Sequence, residues 1–425
     1  MTKGPFKTVG LLLAATTAAM TAAGSASAQD FFLDEALKGA KPILNFNVRL
    51  ETVDFENSDN DATALTARLR AGFETGSVFN TKFLVEVEHT EAIIENFNST
   101  VNGLGQFPVV ADPDQTELNR FQLTNTSLKD TKITLGRQRI KLDDDRFIGN
   151  VGWRQNEQTY DALRIQNTPY KGVTLDVSYI DGVNRIFGTD SAIGQFNSES
   201  FLANGSWTLP TEGYKLKLTA YAYLLDLGEL GEVEEGVATA FGVANSSETY
   251  GGEVLYKRGP YGFKVRYANQ SEFGDDSDFS ADYFNAELWG GYEGFSLRGG
   301  YEVLGNDLEN GEAFGTPLAT LHKFNGWADV FLGTPNEGLE DWYVNAGYKF
   351  GDIGPFKGVS TNVIYHNFSS DTGGLNFGEE IDAVIKAKVG KVGLLFKYAD
   401  YFDASETETR FADERIFWAQ ASYKF

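Results

Sequence analysis

Between residues 65 and 73, Leu65, Ala67, Leu69, Ala71 and Phe73 alternate without a break with Thr66, Arg68, Arg70 and Gly72. A period of two over such a length specifies an extended strand, because successive side chains leave opposite faces of the backbone. One face is apolar and the other carries two arginines. The stretch just upstream repeats the arrangement, with Leu44, Phe46, Val48 and Leu50 set against Asn45, Asn47, Arg49 and Glu51. In a half-buried sheet of a soluble protein the apolar face would be core. In a closed membrane barrel it would face lipid, and Arg49, Arg68 and Arg70 would point into the lumen.

The N-terminus favours an exported protein. Lys3 and Lys7 precede an apolar run from Val9 to Ala15, and small residues lead to Ala26-Ser27-Ala28 before Gln29. This is the pattern of a cleavable secretory signal over residues 1–28, too short for a membrane anchor. Its loss removes two lysines and no acid, so the formal charge falls from −24 to −26. Cysteine is absent, which excludes disulfides and thiolate metal sites and leaves packing and hydrogen bonds to hold the fold. Beyond residue 28 no apolar run reaches helix-spanning length and no linker divides the chain. Residues 29–425 therefore read as one domain. Mean hydropathy is −0.29 although aromatics make up 14%. A barrel reconciles the two, since lipid-facing apolar residues are interleaved with polar ones.

Connection lengths supply the topology. Short turns at 167–172, 210–213, 257–260, 291–294, 351–358 and 390–393 interleave with longer polar segments near 142–156, 182–197, 225–246, 270–280, 304–338, 368–378 and 402–410. Short turns on one side and long loops on the other belong to an up-and-down antiparallel barrel, here of about 18 strands. The inner piece HKFNGWADVFL of 304–338 is assigned to the loop, because a nineteenth strand would place the termini on opposite sides. QDFFLDEALKGAK (29–41) has room for one or two helical turns and not for a folded plug. The chain ends IFWAQASYKF, with Phe417, Ala419, Ala421, Tyr423 and Phe425 on one face, resembling the C-terminal signal of outer-membrane proteins. The expected location is the outer membrane, with its lipid as one partner.

Catalysis has little support. His89, His322 and His366 are scattered without metal-ligand spacing, and no G-x-S-x-G elbow is present. A barrel enzyme is the weaker alternative; no catalytic residue, cofactor or metal is assigned. DDDR (143–146) and DDSD (275–278) lack the spacing of a calcium loop and read as solvated, anion-repelling loops. The acidic balance disfavours nucleic acid.

The lumen is the informative surface. Strand periodicity turns inward Arg49, Arg68, Arg70, Arg120, Lys132, Arg164, Lys215, Lys217, Lys264, Arg266, Arg298, Lys349, Lys386, Lys388 and Lys397. The inward acids include Glu51, Glu74, Glu86, Glu88, Asp176, Glu253, Glu287, Glu302, Glu380 and Asp382. Basic residues lead. Such a wall favours anionic solutes, or else consists of salt-bridged pairs that satisfy one another.

Two stretches carry a family resemblance. GRQRIKLDDDRFIGNVGWRQNEQTYDA (136–162) resembles the signature of the alginate-export outer-membrane barrels, and ATLHKFNGWADVFLGTPNEGLEDWYVNAGYKF (319–350) resembles the same group's long loop and following strand. The resemblance implies an 18-stranded monomeric barrel whose basic lumen passes an anionic polysaccharide outward with periplasmic partners. Carried onto this sequence, it makes Arg137, Arg139, Arg154 and Arg164 selectivity-filter candidates and Glu157 and Asp161 their counter-charges. Trp153 and Trp327 become constriction or sugar-stacking candidates. The alternative on the same fold is an uptake porin for small solutes such as organic acids or sugars.

One conflict remains inside this cluster. Alternation from Ile133 and Leu135 puts Arg137, Arg139 and Lys141 on the lipid face, which is costly at mid-membrane depth. Either a β-bulge near Gly136 re-aims them inward, or the strand has left the bilayer by then.

Overall fold

The computed structural model describes residues 34–228, 245–274, 279–404 and 410–425. The expected signal segment and the DDSD stretch lie outside them. Eighteen antiparallel strands form one sheet in sequence order: β1 (Lys41–Phe55), β2 (Ala62–Glu74), β3 (Thr81–Asn96), β4 (Gln115–Asn125), β5 (Thr131–Gln138), β6 (Thr159–Asn167), β7 (Val173–Asn184), β8 (Gln195–Thr208), β9 (Lys215–Leu225), β10 (Ser247–Arg258), β11 (Tyr261–Ser271), β12 (Ala281–Tyr292), β13 (Phe295–Leu304), β16 (Leu339–Ile353), β17 (Phe356–Ser369), β18 (Asn376–Val389), β19 (Val392–Phe402) and β20 (Glu414–Lys424). The two-residue strands β14 (Asn306–Asp307) and β15 (Glu312–Ala313) form a separate ribbon within one loop. The sheet closes where β1 pairs with β20, from Asn45↔Lys424 to Phe55↔Glu414. Closure removes the free edges that lipid could not satisfy by hydrogen bonding.

HKFNGWADVFL contains a single 3-10 turn, Leu321–Lys323, and no strand, so the count is 18 as the parity argument requires. Residues 34–38 make one helical turn at the short-turn end, where Gly76 N–H donates to Ala36 O at 2.7 Å.

The strand faces follow the alternation. Phe46, Leu69 and Phe73 are 40–44% exposed on the outer wall, while Asn47, Arg49 and Glu51 are buried within the barrel. On the long-loop side the outer wall carries tyrosines hydrogen-bonded to acids: Tyr267 to Asp282 at 2.7 Å, Tyr301 to Glu340 at 2.7 Å and Tyr398 to Asp400 at 2.7 Å. A tyrosine ring in the apolar band with its hydroxyl on a carboxylate marks the edge of the bilayer. The short-turn side has its own exposed aromatics, among them Tyr170, Tyr261, Tyr292, Phe295 and Phe350.

The long loops 139–158 and 305–338 turn into the barrel. Phe147 from the first packs among Tyr221, Tyr223, Tyr283 and Phe314, with ring centroids 5.1–6.1 Å away. Phe331 from the second packs against Phe368, Phe377, Tyr401 and Phe411. The hydrophobic core of this protein thus lies inside the lumen's long-loop half. Inward aromatic positions on the wall strands hold the loops there by burying apolar area.

Candidate functional site

The two inserted loops are joined to each other. Gly149 N–H donates to Leu318 O at 2.8 Å and Thr320 N–H donates to Asp145 O at 3.0 Å. The Thr320 hydroxyl accepts from Val151 N–H at 3.1 Å. The first loop turns sharply through left-handed residues Asp143, Asp145 and Val151, with φ of 51°, 72° and 47°. A β-branched residue in that region stores strain of about 1–3 kcal/mol, held here by the bonds on either side.

The triple aspartate fastens the first loop to three different places. Asp143 accepts from Lys217 at 3.0 Å, Asp144 from Lys264 and Arg266 at 2.9 Å each, and Asp145 from Lys323 at 2.8 Å and Lys141 at 3.1 Å. Burial alone would raise the Asp144 pKa, but Arg266 and Lys264 outweigh it and hold the carboxyl well below its usual range. Beside it, Arg146 is fully buried and spans to the opposite wall, bonding Glu302 at 2.8 Å, Thr316 at 3.1 Å and Asn325 at 3.1 Å. DDDR is therefore an anchor rather than the solvated, anion-repelling loop expected from its charge. A motif of three acids beside an arginine carries no signal of its own for this, because apart from Lys141 the partners are 74 to 179 positions away.

Arg154 and Trp153 sit where the loops meet. Arg154 bonds Glu51 at 3.0 Å and lies 3.8 Å from Asp112 and 3.6 Å from Asp329. Asp112 comes from a third inserted loop, 97–114, and also takes Arg49 and the Gln155 N–H. Trp153 stacks on His322 at 3.4 Å between ring centroids. His322 Nδ1 lies 2.7 Å from Asp329, and its Nε2 meets the Lys397 amine on β19. An ammonium has only donors, so Nε2 accepts and Nδ1–H donates to Asp329. Burial, then the nearby charge of Lys397, keeps His322 neutral with a pKa far below 6.5. Trp327, from the second loop, covers Lys397 at 4.0 Å, and its backbone N–H donates to Glu380.

Glu157 gathers the cations on the β1–β5 side. It lies 3.5 Å from Arg70, accepts from Arg139 Nε at 2.6 Å, from Asn119 at 2.6 Å and from Asn150 at 2.8 Å. Burial opposes its ionisation, yet Arg70 and Arg139 hold its pKa well below the usual value.

The remaining candidates divide. Arg164 is bound to Asp176, with Nε 2.9 Å from Oδ1; Arg266 also takes Glu253 at 3.0 Å; Arg298, half exposed, takes Glu287 at 3.1 Å and lies over Trp289. Lys215 stands at the short-turn end without an ion pair among the described residues. Arg68 has none either; it is held by the Arg154 and Gln155 carbonyls at 3.3 Å and by Asn45. Most of the lumen cations are thus salt-bridged, the second of the two arrangements that the mixed wall allowed.

Arg137 is a correction. In the β5–β6 register Leu135↔Leu163 and Arg137↔Asp161 share one face, and Gln138↔Tyr160 the other. Leu135 and Leu163 are 41% and 40% exposed on the outer wall, whereas Gln138 and Tyr160 are buried inside. Gly136 has φ of 108°, but the pairing runs on without a shift to both neighbours, so no bulge re-aims the strand. Arg137 faces away from the lumen, neutralised by Asp161 through two bonds of 2.9 and 2.8 Å at the strand's end. Asp161 is its counter-charge as expected, but outside the channel. Arg139, past the end of β5, turns inward because the chain itself does.

Below the joined loops, a cavity of about 630 Å³ opens toward the short-turn end. Arg70, Arg120, Arg139, Lys141, Lys323 and Lys424 line it against Glu86, Asp145 and Glu157. A second of about 310 Å³ lies beside Tyr283, Asn285, Trp327, Tyr343 and His366. Residues 50–175 match the profile of a family described as alginate export. Over that segment the chain is similar to the alginate-export family. The 136–162 stretch lies within the match and 319–350 beyond it. No curated protein matches in sequence. Among solved structures the fold is similar to Pseudomonas aeruginosa OpdO, with TM-score 0.65 and 15% identity over 92% of this chain and 99% of that one. It is also similar to P. aeruginosa OpdK with vanillate (0.64, 13%, 92% and 99%) and OccK8, also called OprE (0.62, 16%, 92% and 99%). At these identities the likeness shows the fold. That fold is the closed antiparallel barrel of outer-membrane proteins.

Proposed function

We propose that this outer-membrane barrel passes small anionic solutes, organic acids or acidic sugars, through the gap beside its joined loops. The observation that carries the reading is the vestibule under those loops, where six cationic side chains face three acidic ones. Such a surface concentrates anions at a narrow, low-dielectric passage. Arg68, Arg70, Arg139, Arg154 and Lys323 line or support this approach, with Glu157 orienting its neighbours and Trp153 and Trp327 as walls of the constriction. The vanillate in the OpdK structure is a ligand of the size and charge this reading assigns. Planar-bilayer recording in a salt gradient tests it: a reversal potential on the anion side supports it, and one on the cation side ends it.

A second reading, export of an anionic polysaccharide, draws on the alginate-export match over residues 50–175. It requires the bonds between Gly149 and Leu318 and between Asp145 and Thr320 to open, and periplasmic partners to feed the chain. Liposome swelling with graded oligouronates separates the two, since a cut-off near a mono- or disaccharide favours the first.

A further inference from the structure

Two buried basic side chains near the constriction make no close ion pair. Among the described residues no carboxylate oxygen lies within 4 Å of either the Arg68 guanidinium or the Lys397 amine. Arg68 is 6% exposed, and its Nε has no acceptor although its other nitrogens meet two carbonyls and Asn45. Lys397 is held by His322 Nε2 and lies over the faces of Trp327 at 4.0 Å and Trp418 at 4.6 Å. Carbonyl dipoles and indole faces offset part of the desolvation of a cation but leave it unpaired. Two indole N–H groups beside it are also without acceptors: Trp153 Nε1 and Trp418 Nε1, the latter on a residue 1% exposed.

Arg68, Lys397, Trp153 and Trp418 line one cavity of about 280 Å³, walled further by Leu395 and Gln420. Asn47 Oδ1 is the one unmet acceptor facing this space among the described residues; the other unmet groups there are donors, and since buried polar groups are normally satisfied they describe what belongs there. We propose that this cavity is a binding station for a single carboxylate carried on a ring. One carboxylate offers two oxygens and about four acceptor positions, enough for Arg68, Lys397 and the two indoles. Its single negative charge supplies the close ion-pair partner they lack, and the volume leaves room for one aromatic or pyranose ring and not for a polymer segment. Arg49, in the same wall, is ion-paired with Asp112 and Glu51, and its Nε alone lacks an acceptor. The station rests on the anion-channel reading only for the ligand's route of entry.

The test is titration of intrinsic tryptophan fluorescence of the purified, detergent-solubilised barrel with benzoate and with glucuronate. A saturable response to either is expected, the stronger one identifying the ring as aromatic or sugar. Lys397→Met should weaken it about tenfold or more, as expected for loss of a charge-assisted bond, and Lys397→Arg should restore part. Heat-modifiable gel migration confirms that each variant is a folded barrel; should Lys397→Met fail to fold, Arg68→Gln serves in its place. Absence of saturation, an equal response to glucose or inorganic phosphate, or an unchanged response in the folded variant overturns the station. Reversal potentials on the same protein keep the readings apart: an anion-selective pore without saturable binding loses the station alone, and saturable binding in a cation-selective pore loses the channel reading alone.

Discussion

Trp153 and His322 stack face to face, ring centroids 3.4 Å apart and planes 12° from parallel, and they belong to different loops. The contact joins two inserted loops: one ring comes from 139–158, the other from 305–338, and Lys397 of the wall holds the histidine from behind. Backbone bonds and the ion pairs Arg154–Asp329 and Lys323–Asp145 fasten the loops on either side of this stack.

Trp153→Ala should widen the passage without disturbing the barrel. Single-channel conductance is expected to rise and anion preference to weaken, while gel migration stays that of a folded barrel. An unchanged conductance would place the narrowest point elsewhere.

Phe147→Ala removes the ring that seats the first loop among Tyr221, Tyr223, Tyr283 and Phe314. Such a truncation in a packed core costs about 3–5 kcal/mol, here borne by the loop's attachment because the strands keep their ladders. Limited proteolysis should cleave within 139–158 in the variant and spare the wild type, with noisier current traces. Equal protection of the two would mean that the triple aspartate alone seats the loop.

Arg137 and Arg139 are two residues apart and should behave oppositely. Arg137→Ala removes an outward pair with Asp161 and should leave the reversal potential where it is. Arg139→Ala strips Glu157 and Glu86 of a cation inside the lumen, so selectivity should move toward cations. The same shift from both substitutions would contradict the outward placement of Arg137.

Asp329 gives the pore a pH response. Burial raises its pKa from 3.8 to about 6, against the pull of Arg154 and Lys397. The folded state therefore binds this proton more tightly than the unfolded chain does. The penalty for ionising Asp329 is absent below the unfolded pKa and complete above the folded one. Lowering the pH from about 7.5 to about 5 removes one negative charge beside Arg154 and His322. Anion preference should rise across that window in bilayer recordings, and Asp329→Asn should flatten the step. A step of full size in that variant would assign it to another carboxylate.

The strands were legible because each one carries its own environment in its own residues. Leu69 and Phe73 against Arg68 and Arg70 state which face meets lipid, whatever the neighbouring strand may be. Closure and even parity then gave the count, and left HKFNGWADVFL as loop. Inward aromatics on the long-loop halves of the strands, such as Tyr221, Tyr223, Tyr283 and Phe368, were the one available sign that something apolar fills the lumen there. A water-filled pore would not bury them.

The sequence by itself determined an 18-stranded barrel, its inner and outer faces and a surplus of inward cations, because a period of two is a local property. Only the tertiary structure decided which cations remain unpaired. Arg154 meets Glu51 across 103 positions and Arg146 meets Glu302 across 156, and no pattern along the chain records such distances. Charges of one sign look alike in a sequence; it is the loop that folds in beside them that neutralises Arg266 and leaves Arg68 and Lys397 open.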